Sequence, residues 1–226
     1  MSLGTYPGGF MRRSASLLLL LLVPAMWHPR HSHAQNLPSS EQVIRPGFGT
    51  LKQEDLQIAL ATSALEIRFT PLDPRVINLL APDAYQAMAV LVQNNRPRID
   101  SAARANAVSR PGIAYVQFYG LQPGANFDAQ SLVLVFRGRL LRPIAILPYS
   151  QNFNDGRLEP RQQVTAFYLF EEQIPVLEPF SLQYYQQYNT EWTSNRVAKI
   201  NTERQRALLR SSKGVTASTK DSIPAR

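Results

Sequence analysis

The stretch WHPRHSHAQ, residues 27–35, places His28, His31 and His33 within six positions. Clustered imidazoles are common ligands for zinc, copper and iron, so a metal site is the first chemistry this spacing suggests. These are the only histidines in the chain, and it has no cysteine. The flanking residues argue against a metal site. Upstream runs SASLLLLLLVPAMW, residues 14–27, which is uncharged and lies just behind Arg12 and Arg13. A short basic stretch, an apolar run and a small-residue cleavage site together make a secretory signal. Ser32 and Ala34 supply the two small side chains just before Gln35.

The expectation is a cleavable signal peptide over 1–34, starting at Met1 or Met11, and a periplasmic or extracellular protein. The alternative is an N-terminal membrane anchor. A spanning helix needs about 20 apolar residues, and Pro24, Pro29 and Arg30 cut this run short. Cleavage would leave a mature chain with neither histidine nor cysteine. That excludes a Ser-His-Asp triad, a thiol nucleophile, and any histidine or thiolate metal site. No cofactor and no metal is expected.

Carboxylates, hydroxyls and aromatic rings remain. Glycoside hydrolysis needs two carboxyl groups facing each other across the substrate. Glu171 and Glu172 are adjacent, and consecutive strand residues point to opposite faces. Asp73, Asp83, Asp100, Asp128 and Asp155 fall at expected loops and helix starts, where aspartate serves the backbone. A carboxylate-dependent hydrolase is therefore the outsider. For calcium, NFNDGRLE (152–159) comes closest in ligand type but lacks loop spacing. The positive feature is aromatic: Tyr184, Tyr185, Tyr188 and Trp192. Tyr185, Tyr188 and Trp192 are candidate sugar-stacking or peptide-clamping rings; the competing reading puts Tyr184 and Trp192 in the core.

The formal charge is +8, but it is unevenly spread. Residues 35–188 carry thirteen basic and thirteen acidic side chains, whereas 189–226 carries eight basic against three acidic. Arg196, Lys199, Arg204, Arg206, Arg210 and Lys213 are candidate contacts to an anionic membrane surface or envelope polymer. The competing reading is a solvated helix face. Nucleic acid is not expected, because no binding motif accompanies the charge.

These residues must be positioned by a mainly β scaffold. Residues 35–64 read as an irregular lead-in, rich in Pro, Ser and Gly at its start. LEIRF (65–69), IAYVQFYGL (113–121) and QVTAFYLFEE (163–172) have strand patterning. SLVLVFRGRLLRPIAIL (131–147) reads as two strands about a turn near Gly138, with Pro143 placing the second at a sheet edge or bulge. EPFSLQYYQQY (178–188) reads as one further strand. A helical insertion spans roughly 82–107, with a kink or a second helix expected at Pro97. A basic helix over 189–210 and a disordered tail over 211–226 complete the chain. The expected fold over 65–188 is an antiparallel β-sandwich, immunoglobulin-like, with an inserted helical segment and a C-terminal helix. The function expected is non-enzymatic, a binding or scaffolding domain for an unknown protein or envelope polymer. A glycan-binding module is the alternative.

Overall fold

The computed structural model describes residues 44–220, with side chains through Ser211. The expected signal peptide and residues 221–226 of the expected tail lie outside the described residues. The described strands are β1 (Ile58–Ala61), β2 (Leu65–Pro71), β3 (Gly112–Gly120), β4 (Ala125–Asn126), β5 (Leu132–Phe136) and β6 (Arg139–Leu141). There follow β7 (Pro143–Pro148), β8 (Arg157–Leu158), β9 (Gln163–Phe170), β10 (Ser181–Tyr184) and β11 (Gln187–Asn189). The helices are a single turn α1 (Pro74–Ile77), α2 (Pro82–Ala105) and α3 (Val197–Lys220). The protein is thus mainly β, with antiparallel sheets and a C-terminal helix.

Alternation sets the sheets. In β3, Ala114, Val116 and Phe118 are buried, while Tyr115, Gln117 and Tyr119 between them are half-buried. β3 pairs with β2 on one side and β9 on the other, within a five-stranded sheet ordered β1-β2-β3-β9-β7. β9 is buried on both faces: Val164, Ala166, Tyr168 and Phe170 alternate with buried Thr165, Phe167 and Leu169. Such a run belongs in the middle of a sheet covered on both sides. A second sheet is ordered β11-β10-β5-β6, and β4 pairs with β8.

Aromatic contacts join the two larger sheets. Phe118 of β3 meets Tyr184 of β10 at 6.4 Å between ring centroids, and Phe69 of β2 meets Phe180 at 6.5 Å. The sheets are also linked along their edges. Only Arg142 separates β6 of one sheet from β7 of the other. Pro143 has no N–H for a ladder, and the β7–β9 register shifts between Pro143 and Ala145. β7 is an edge strand, as proline favours. At the other side, Asn189 Nδ2 donates to the Ala59 carbonyl at 2.6 Å, tying β11 to β1.

Several expectations need correction. The lead-in is not irregular throughout: QIALA hides β1, whose Ile58 and Leu60 face the core. Where one strand is expected over 178–188, residues 181–189 form a hairpin. Helix α2 runs unbroken through Pro97 to Ala105. Proline removes the hydrogen bond to the Gln93 carbonyl, and burial of Met88, Ile99 and Ala103 along the helix offsets that loss. Helix α3 continues to Lys220, well into the expected tail.

The lead-in docks where no side chain fits. A β-carbon on Gly49 would lie 2.0 Å from the Leu79 carbonyl carbon and oxygen. Beyond it, Leu51 N–H donates to Leu79 O at 3.0 Å, and Ala81 N–H donates to Leu51 O at 2.8 Å. Gly49→Ala must push these backbones apart. Chemical denaturation is expected to show a loss of about 1–3 kcal/mol in unfolding free energy.

Candidate functional site

The exposed aromatic residues come from the β10–β11 hairpin. Its register pairs Gln183 with Tyr188 and Tyr184 with Gln187, leaving Tyr185 and Gln186 as a two-residue turn. Tyr185 holds φ of 51°, at a position where tight hairpins favour glycine. A side chain in that left-handed region costs about 1–2 kcal/mol. Gln183 Nε2 braces the turn by donating to the Tyr185 carbonyl at 2.8 Å. The Tyr184 ring packs inward and its hydroxyl accepts a hydrogen bond from Asp128 N–H at 3.0 Å. With Tyr184 so fixed, Tyr185 and Tyr188 stand in solvent, 58% and 60% exposed.

The hairpin faces the β1–β2 turn. There Thr62 Oγ1 accepts from Leu65 N–H at 2.9 Å, and Thr62 N–H donates to the Leu65 carbonyl at 2.7 Å, which stiffens the loop. Between hairpin and turn lies an open hollow of about 780 Å³, lined by Ala61, Thr62, Ser63, Tyr185, Gln186 and Gln187. Its lining has hydroxyls, amides and one large ring, and no charge. Trp192 is not part of this surface. It is fully buried and packs on Phe180 at 4.9 Å between centroids, leaving the tyrosines as the exposed members of the expected group.

The basic residues of the C-terminal helix are placed differently from an open cationic face. Arg196 pairs with Glu191 at 2.5 Å and approaches Asp55 at 4.0 Å. Lys199 Nζ lies 2.6 Å from Asp55 Oδ1. Arg204 is buried, and Arg210 pairs with Glu203 and donates through Nε to the Phe48 carbonyl at 2.8 Å. Arg206 is exposed, and the Lys213 side chain lies outside the described residues. Burial tends to raise the pKa of Asp55, yet hydrogen bonds from Lys199 and the Lys52 N–H, with the charges of Lys199 and Arg196, hold it below the ordinary value. These pairs clamp α3 onto the segment 48–55.

Glu203 is the centre of that clamp, and sequence reading passed it over. Its carboxylate is buried and accepts from Thr50 N–H at 3.0 Å, from Thr50 Oγ1 at 2.9 Å and from Arg210. A separation of 153 residues between Thr50 and Glu203 leaves no local signal to find. Among the described residues, no cluster of three or more acidic side chains could hold a metal ion. In the segment compared above with a calcium loop, Gln151–Asp155 forms a single 3-10 turn ended by Gly156. No helix among them is long and apolar enough to cross a membrane.

No protein-family model, curated protein or solved structure matches this chain.

Two measurements check these assignments. Glu203→Ala strands the Thr50 N–H and one arginine, and denaturation is expected to show a loss of about 2–3 kcal/mol. The second concerns Tyr184, whose burial pushes its pKa from 10.0 up to about 12, against the smaller opposing effect of the Asp128 hydrogen bond. The unfolded chain releases this proton first as pH rises, so the contribution is intact below pH 10 and is lost between about 10 and 12. Stability is expected to fall over that window, and Tyr184→Phe should make the fall shallower.

Proposed function

We propose that this chain is an exported, non-enzymatic binding domain that holds a neutral glycan chain on the tyrosine hairpin. In this reading residues 1–34 direct export and are removed, and the domain works in the periplasm or outside the cell. Its two larger sheets form a β-sandwich that serves as a rigid base. The observation that carries the proposal is the pair Tyr185 and Tyr188 of one hairpin, both more than half exposed, with Tyr185 lining an uncharged hollow. Sugars present apolar C–H faces to aromatic rings and hydroxyls to amides, and Ser63, Gln186 and Gln187 supply the polar partners. The hollow is open rather than enclosed, which suits a chain passing over it. Strain at Tyr185 agrees with this assignment, because strained backbone tends to persist where function needs it.

Electrostatic attachment through α3 is the weaker reading. Arg196 just before it, and Lys199, Arg204 and Arg210 within it, are buried or ion-paired, and a charge already neutralised contributes little to an anionic surface.

Binding to insoluble chitin and cellulose, read by sedimentation, tests the proposal. Retention is expected to fall about tenfold or more in Tyr185→Ala/Tyr188→Ala. Tyr185→Gly should weaken retention while leaving thermal stability equal or higher, since glycine relieves the left-handed strain. Equal retention of all variants, or none by the wild type, would end the glycan assignment.

A further inference from the structure

A second concave site lies on the opposite kind of surface, between α1, α2 and the start of β3. Its volume is about 450 Å³, within the range of small-molecule pockets. The floor is apolar: Leu72, Ile77, Ile99, Ala103 and Ile113, with Val92 and Val108 as walls. Five ionisable side chains line the cleft, and three are already matched. Asp73 accepts from Arg75 Nε at 2.9 Å and Arg75 Nη2 at 2.6 Å, besides the Arg75 N–H at 2.8 Å. Arg96 pairs with Asp100 at 2.9 Å. Arg104 and Arg110 are left, both exposed and neither in a salt bridge among the described residues.

The local fold explains why these two cations share one rim. Helix α2 ends in a Schellman turn: Val108 N–H donates to the Ala103 carbonyl at 2.9 Å, and Ala107 N–H to Arg104 at 3.0 Å. Ala107 takes φ of 56° to make the turn. The chain is thereby reversed, and Ser109 and Arg110 return beside Arg104 before β3 begins. An apolar floor, a rim charge of two unmatched guanidinium groups and a bounded volume define an amphipathic anion as the complementary ligand.

We propose that this cleft binds a small amphipathic carboxylate, with its hydrocarbon part on the Leu72–Ile99–Ile113 floor and its carboxylate held by Arg104 and Arg110. The site is independent of the tyrosine hairpin and shares no residue with it.

Calorimetric titration of the intact protein with decanoate tests this, with decanol and inorganic phosphate as comparisons. Decanoate is expected to bind more tightly than either, since decanol lacks the charge and phosphate lacks the chain. Arg104→Gln/Arg110→Gln alters only exposed side chains, so the fold is retained, and decanoate affinity should drop about tenfold or more. Val92→Trp, which fills the cleft from its wall, should abolish binding while leaving both arginines in place. Absence of decanoate binding to the wild type would overturn the proposal. So would affinity unchanged in both variants, or phosphate or decanol binding as tightly as decanoate.

Discussion

The inward anchoring of Tyr184 is the constraint on which the exposed surface depends. Its ring packs against Phe118 across the two sheets, and its hydroxyl takes the Asp128 N–H. A strand has only two faces, so committing Tyr184 and Leu182 to the core commits Gln183 and its partner Tyr188 to solvent. The turn must then begin at Tyr185, in a backbone conformation unfavourable for tyrosine. Burial of one tyrosine thus fixes both the exposure of the next and its strain. The edge bond from Asn189 to Ala59 keeps the hairpin beside the β1–β2 turn, which is what creates the hollow.

The C-terminal helix serves this frame rather than a separate surface. Trp192 enters the core against Phe180, just after the hairpin, and Ile200 and Ala207 continue the buried stripe. Glu203 then joins the helix to Thr50, and Arg210 reaches Phe48. The lead-in is closed between this helix and the Leu79–Leu80 segment, where Gly49 permits close approach. Three of the basic residues that suggest an anionic partner, Arg196, Lys199 and Arg210, pair internally with Glu191, Asp55 and Glu203.

Elements whose side chains alternate were legible in the sequence: Leu65, Ile67 and Phe69 in β2, and Ala114, Val116 and Phe118 in β3. Pro143 correctly marked an edge and an irregular register. Features that depend on distant partners were not legible. The Tyr185-Gln186 turn carries no glycine, asparagine or aspartate, so the hairpin read as a single strand. β1 is only four residues long and takes its identity from pairing with β2. Pro97 suggested a kink or a second helix; one helix runs through it, and the packing that tolerates the proline lies outside the helix's own sequence. Of the site, the tyrosines were visible as residue types; the turn Thr62–Ser63 that faces them was not, since it becomes a neighbour only through the fold.

The central claim is that Tyr185 and Tyr188 form a sugar-binding surface whose geometry is set by Tyr184. Nuclear magnetic resonance of the labelled protein, titrated with an oligomer of N-acetylglucosamine, tests it most directly. Saturable shifts confined to Thr62, Ser63 and residues 185–188 are the predicted result, with the ring signals of Tyr184 and Trp192 unmoved. Shifts confined to other parts of the protein, or no shifts at all, would contradict it.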